Sequence, residues 1–220
     1  MNKIERVIVP VAEAAVVLFF FCLFAAAIVF LLFYIRFMKR RMKQLAYYDP
    51  LTRMPNRYAL KECLAKASSM SGSPRFTLYF IDVDNFKQVN DSVGHEAGDA
   101  LLCEVGRIFN RLAEEENAAS PKSEQFSIAS RYGGDEFVLV IPSVKDFDAA
   151  VNYANNLLSN FANHMSQSRL ENRGIHLSVG AAVFGLHTRD TGELLQQADF
   201  AMYEAKKAGR NRFSVYENGK

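Results

Sequence analysis

Between Ala14 and Ile35 the chain runs for 22 residues without a charged side chain. Wound into a helix, such a run is about 33 Å long, enough to cross a hydrocarbon core of about 30 Å. A run of this kind is either held in lipid or removed. Removal would make it a cleaved signal peptide, and three features oppose that. The run exceeds the roughly 7–15 residues of a usual signal-peptide apolar region. Its charges follow it instead of preceding it, and no small-x-small cleavage site closes it. The expected element is one transmembrane helix at about residues 14–35 within an N-terminal segment 1–35. Glu13 sits at its outer edge, within reach of the interface.

Five cations (Arg36, Lys39, Arg40, Arg41 and Lys43) fall within the eight residues after the run, and only Lys3 and Arg6 precede it. The positive-inside bias then puts the N-terminus outside and the C-terminal body in the cytoplasm. The outer segment, about 13 residues, is too short to form a ligand-binding domain. Residues 1–48 carry a net +5, which leaves −3 on residues 49–220. The overall +2 therefore comes from the membrane flank and implies no nucleic-acid partner. A body of about 170 residues buries a sizeable core without staples. Cys22, Cys63 and Cys103 form no CxxC or Cys/His cluster, so a reduced cytosolic domain is expected and a zinc site is not.

The body reads as alternating elements. Tyr47 to Arg57 is turn-rich, with Pro50 and Pro55, and Arg57 to Ser69 has helical periodicity. Phe76 to Ile81 is almost wholly apolar and predicts a buried central strand ending in Asp82-Val83-Asp84-Asn85-Phe86-Lys87. Ala97 to Leu112 predicts a helix, and Glu114 to Gln125 a loop or frayed end. Phe126 to Tyr132 and Phe137 to Ile141 are strand-like around Gly133-Gly134, a two-residue hairpin signal. Val144 to Met165 and Glu193 to Ala208 predict helices, Ile175 to Phe184 and Arg212 to Tyr216 strands. The order α-β-α-β-β-α-β-α-β predicts an α/β (α+β) mixed sheet with flanking helices.

Within this frame, Asp82 stands at the end of an apolar strand, where an unpaired carboxylate is costly. The hairpin puts Asp135 and Glu136 at another strand end; if the two strands are neighbours, the acids converge. Oxygen ligands without His or Cys suit Mg²⁺, which usually completes its shell with phosphate oxygens. Taken singly, each acid is as readily an N-cap or turn residue. Lys87 follows a turn whose N–H groups can cradle phosphate. Lys206 and Arg210, four apart at a helix end, are expected to face the same way, though each alone reads as a solvated charge. Asn90 and Asp99 offer what a guanine edge needs: a carboxylate accepts from N1–H and the exocyclic amine, and an amide completes the edge. Their alternatives are a helix cap and a helix N-terminal acid. His95 stands with these substrate-binding positions and reads as a hydrogen-bonding strut in the turn, not as a catalytic group.

The ordered runs Asp49-Pro50-Leu51-Thr52, Pro55-Asn56-Arg57, Asp82 to Lys87, Asn90-Asp91, Gly94-His95-Glu96-Ala97-Gly98-Asp99, Arg131-Tyr132-Gly133-Gly134-Asp135-Glu136-Phe137, Ser178-Val179-Gly180, Ala198 to Lys206 and Gly209-Arg210-Asn211 resemble the GGDEF family of diguanylate cyclases. The resemblance covers about Asp49 to Tyr216. It implies a fold like nucleotidyl cyclases and polymerase palms, GTP as substrate, Mg²⁺ or Mn²⁺ with two ions per site, and action as a homodimer; together with the transmembrane helix, the expected location is a bacterial inner membrane. Carried over by position, Asp82, Asp135 and the Val83 carbonyl are metal ligands, with Glu136 a further one or a catalytic acid beside Asp135. Asn90 and Asp99 read guanine; Lys87, Lys206 and Arg210 bind phosphate. Gly133 and Gly134 keep the hairpin tip clear for the nucleotide. A catalytically dead module that binds nucleotide or cyclic di-GMP as a receptor is the alternative, but such members lose metal and guanine positions that are intact here.

Three positions depart from the family pattern. Arg53 replaces a usual Gly, so a strained or rearranged backbone is expected there. The segment Glu114 to Gln125 is about ten residues longer than usual. Glu124 and Ser127 stand where an inhibitory product site has Arg and Asp, so weak product inhibition is expected. Upstream, Ile35, Met38, Met42 and Leu45 recur at heptad spacing within a basic juxtamembrane linker, residues 36–48. This seam is expected to pair two chains at the membrane, ahead of a catalytic domain at 49–220, while its cations contact anionic lipid.

Overall fold

The structure is a computed structural model that describes residues 5–70, 73–119, 127–167 and 174–217, with the backbone alone for residues 5–15, 17, 40 and 44. The chain divides into two compact units, Met1–Ala46 and Tyr47–Lys220.

The first unit is helical. α1 runs unbroken from Glu5 to Tyr47, 43 residues, so the uncharged run and the basic linker form one helix. It contains one helix stretch, Leu18–Tyr47, long and apolar enough to cross a membrane. Leu18, Phe24, Phe30 and Phe33 are exposed along it. A face of this kind is stable in lipid and costly in water.

The second unit is a mixed five-stranded sheet between two helical layers. β1 (Phe76–Asp84), β2 (Ile128–Gly133), β3 (Glu136–Ile141), β4 (His176–Phe184) and β5 (Arg212–Val215) lie in the order β2-β3-β1-β4-β5. All neighbours pair antiparallel except β4 with β5. β1 is central and buried along its whole length, as its apolar run predicts. Its side chains alternate between two cores. Tyr79, Ile81 and Val83 pack with α4 (His95–Ala119) and α5 (Phe147–Ser166). Phe76, Leu78 and Phe80 pack with α2 (Arg57–Ser68) and α6 (Thr191–Lys207). By the same alternation Asp82 and Asp84 continue the α2/α6 face.

Helix starts follow capping chemistry. Asn56, Asp146 and Asp190 accept from first-turn N–H groups of α2, α5 and α6. α5 therefore begins after Asp146, three residues later than its apolar pattern alone suggests.

Three expectations are corrected. A short helix, α3 (Phe86–Val93), follows β1, where no helix was expected before Ala97. Asn85 at its start adopts a left-handed conformation, φ 61°, and provides no side-chain cap, which is why no start signal was visible. α4 begins at His95 and continues to Ala119, so Glu114 to Ala119 is helical and not loop. Residues 120–126, with Glu124, lie outside the described residues. Ser127 is buried and clipped to α4: its N–H donates to Asn117 Oδ1 at 2.6 Å, and its carbonyl accepts from Asn117 Nδ2 at 3.0 Å. Third, Gly133 pairs with Glu136, so the two-residue turn is Gly134-Asp135, with Gly134 at φ 53°. The strain expected at Arg53 is present, φ 61°.

Candidate active site

Register brings the acids together. Asp82 on β1 lies directly across from Glu136 on β3. Cross-strand partners point to the same face, here the α2/α6 face. The hairpin tip folds over the end of β1, where Val83 N–H donates to the Asp135 carbonyl at 3.2 Å. Asp82, Val83, Asp135 and Glu136 therefore meet at one end of the sheet.

Crowding there works against charge. Burial raises the Asp82 carboxyl above its ordinary range; Asp135 and Asp84 push it the same way, and the Lys206 ammonium pulls against them. Lys206 Nζ lies 2.6 Å from Asp82 Oδ2. Burial also raises Glu136, joined by Asp199, Asp82 and Asp135 and opposed by Lys206. Acids held in an unfavourable charged state are stabilised by a nearby cation. The donors are hard oxygens, as Mg²⁺ requires. Among the described residues no three carboxylate, His or Cys groups stand close enough to grip an ion unaided. The residues fit an ion that takes part of its shell from phosphate oxygens.

The guanine candidates lie on α3 and α4, which are joined through Gly94 alone. Asn90 Oδ1 is buried and has no hydrogen-bond partner among the described residues. A Cβ on Gly98 would lie 1.9 Å from it, so glycine at 98 makes room for this amide. Buried polar atoms without partners are rare, and at a ligand site they mark what the ligand satisfies. Asp99 and Lys87 are exposed. The exposed His95 is the first residue of α4, and its ring has no hydrogen bond among the described residues, so the strut reading finds no partner. With no side-chain cap from Asn85, the first N–H groups of α3 are open to an anion.

Lys206 and Arg210 do not share a helix face. α6 ends at Lys207, and Arg210 lies beyond it at φ 59°. The two cations are related through β1 instead: Lys206 pairs with Asp82, while Arg210 Nε lies 3.9 Å from Asp84 Oδ1.

Two further features of this region were not expected from the sequence. Arg131 donates from Nε and Nη2 to the Gly134 carbonyl at 2.9 and 2.7 Å, and from Nη1 to Asp49 Oδ1 at 2.9 Å. It braces the hairpin tip against the turn after α1. Burial opposes charge on Asp49, but Thr52 and Arg131 outweigh it and hold the carboxyl below its usual range. Second, a cleft of about 470 Å³ opens between α2, the hairpin and α6, with Arg57, Lys61, Glu136 and Asp199 on its walls. Their distance along the chain hid it; none of the guanine candidates lines it.

Residues 46–212 match the family described as "Diguanylate cyclase, GGDEF domain". The bifunctional diguanylate cyclase/cyclic di-GMP phosphodiesterase MucR of Pseudomonas aeruginosa is 38% identical over 182 residues, covering 81% of this chain and 25% of MucR. A diguanylate cyclase of Vibrio cholerae is 30% identical over 183 residues, 81% of this chain and 52% of that protein. The chain thus spans about a quarter to a half of the length of these curated relatives. The structure of the coiled coil and GGDEF domain of DgcB from Caulobacter crescentus, in complex with c-di-GMP, superposes with a TM-score of 0.67 at 26% identity, covering 86% of this chain and 96% of that one.

Proposed function

Since the chain belongs to the GGDEF family of diguanylate cyclases, we propose that it condenses two GTP molecules into cyclic di-GMP, releasing two pyrophosphates, at the interface of a homodimer. The observation that carries this reading is the meeting of Asp82, Asp135 and Glu136 at the end of β1.

Each domain holds one GTP. Asn90 and Asp99 take the guanine edge. Lys87, the open N–H groups of α3, Lys206 and Arg210 take the triphosphate. Asp82, Asp135 and the Val83 carbonyl would hold Mg²⁺ or Mn²⁺, which supplies stabilisation of charge on the transferred phosphate and the leaving pyrophosphate. In each half-reaction a 3′-oxygen forms a bond to the α-phosphorus of the facing nucleotide, and the bond from that phosphorus to pyrophosphate breaks. Asp135 assists removal of the 3′-hydroxyl proton, and Glu136 supports it from the neighbouring position. Gly133 and Gly134 leave the tip open to the nucleotide. Positioning supplies much of the remaining acceleration.

One domain carries half of the reaction, so pairing matters. Ile35, Met38, Met42 and Leu45 are exposed along α1 and form a heptad seam. Anchoring α1 in a bacterial inner membrane raises the local concentration of a second copy, which so short a seam needs.

Nucleobase discrimination tests the reading. With the full chain in lipid vesicles and Mg²⁺, GTP is expected to release pyrophosphate at least about tenfold faster than inosine triphosphate, which lacks the amine that Asp99 accepts. ATP is expected to be inert. Equal turnover of all three would overturn the guanine assignment. Tight GTP binding without turnover would favour the receptor alternative.

A further inference from the structure

Asp84 is among the least exposed charged side chains of the body, with only 1% of its side chain open to solvent. A buried carboxylate is costly unless its oxygens are satisfied, and here they are. Oδ1 accepts from Ser178 Oγ at 2.7 Å, and Oδ2 accepts from the backbone N–H of Asn211 at 3.0 Å. The first partner lies on β4, the second at the join between α6 and β5.

That join is strained. Gly209, Arg210 and Asn211 all have positive φ, at 115°, 59° and 49°. Glycine adopts such a conformation freely and asparagine more readily than most residues, but arginine does so only at a cost. Two consecutive left-handed residues persist only where surrounding structure holds them, and such strain concentrates at functional sites. The Asn211 N–H bond to Asp84 is one such hold. The Arg210 Nε faces the same carboxylate at 3.9 Å, while its side chain is 56% exposed. No hydrogen bond is made by its terminal amino groups among the described residues. The guanidinium is thus oriented from behind, with its fork left for a phosphate.

We propose that Asp84 is a positioning residue: it holds the Gly209–Asn211 turn in its strained form and so presents Arg210 to the triphosphate of GTP. The inference rests on the reading of this site as a GTP site. Asp84, Ser178 and Asn211 belong to none of the metal, guanine, phosphate or hairpin positions assigned above.

Asp84→Asn separates charge from hydrogen bonding. Ser178 Oγ can accept from the new amide nitrogen, while the remaining oxygen accepts from Asn211. What is lost is the charge, which faces Arg210 and strengthens the Asn211 N–H bond that holds the turn.

The test is steady-state turnover of the full chain in vesicles, read as KM for GTP against kcat, with thermal unfolding measured on each variant. Arg210→Ala is expected to raise KM about tenfold, as loss of a charge-assisted phosphate contact does. Asp84→Asn is expected to raise KM about fivefold with kcat changed less than about twofold, and to add nothing further in the Arg210→Ala background, because the two act as one unit. Additive effects of the two substitutions, or an unchanged KM in Asp84→Asn beside a raised one in Arg210→Ala, would overturn the proposal alone. An unchanged KM in Arg210→Ala would overturn the phosphate role of Arg210 itself. If Asp84→Asn unfolds, Ser178→Ala decides: it removes one hydrogen bond to Asp84, and a KM raised about twofold supports the proposal, while an unchanged KM refutes it.

Discussion

Asp135→Ala and Asp82→Asn are each expected to lower cyclic di-GMP synthesis by about a thousandfold, the effect of removing about 4 kcal/mol of transition-state stabilisation with a metal ligand. The fold should survive both. Asp135 lies in the two-residue turn of the hairpin, where its side chain supports no core. Asp82 lies at the end of β1, and asparagine keeps its shape and an acceptor for Lys206.

For Asp82 the sign of the stability effect follows from its titration. Its folded carboxyl is raised, first by burial and then by Asp135 and Asp84. The stability linked to it is fully present below the ordinary carboxylate range and is lost as pH rises through the raised value. At neutral pH its charge therefore weighs against folding. Asp82→Asn is expected to leave the thermal midpoint unchanged or to raise it, while activity falls. Loss of activity accompanied by a large drop in the midpoint would mean that Asp82 is a structural acid. Retention of more than about a tenth of the activity in both variants would remove these residues from the chemistry.

The second large effect is on the fold. Gly180 of β4 pairs with Phe80 of β1 and Ser214 of β5, on the face that carries α6. A Cβ there would lie 2.0 Å from the Ala198 carbonyl oxygen and 2.1 Å from the Met202 nitrogen. These are backbone atoms in mid-helix, so no rotamer change relieves the clash. α6 must lift away from the sheet. Gly180→Ala is expected to destabilise the body by about 3 kcal/mol and lower its thermal midpoint by about 10 °C. It should also cost activity, because α6 carries Lys206 to Asp82. A midpoint within about 2 °C of the parent would show that the helix does not rest on the strand through glycine.

How much of this was legible in the sequence depends on the range of the signal. β1 was visible because a strand buried on both faces is continuously apolar. The helices of the body showed their 3.6-residue period, and the mixed sheet followed from the order of elements. α3 was not visible. It has 8 residues, buries one side chain, Val89, and starts at a left-handed Asn85 without a cap bond. The convergence of Asp82 with Glu136 was conditional on strand adjacency, which periodicity does not encode; the register supplied it.

Lys206 and Arg210 illustrate the opposite failure. Their spacing of four suggested one helix face, but α6 stops at Lys207 and the chain turns left-handed through Gly209. The relation between them runs through Asp82 and Asp84, two residues apart on a strand. A period-2 reading of Phe80, Asp82 and Asp84 was the available signal for that. The Asp49–Arg131 bridge spans 82 positions, and no local pattern announces it.

Joining two GTP molecules into one cyclic product is what separates the proposed activity from nucleotide binding alone. It is tested most directly by incubating the full chain in lipid vesicles with GTP and Mg²⁺, identifying the product by mass, and measuring pyrophosphate against it. Cyclic di-GMP is expected as the accumulating nucleotide, with two pyrophosphates for each molecule formed. Cyclic GMP at one pyrophosphate each, or GTP bound and returned unchanged, would contradict it.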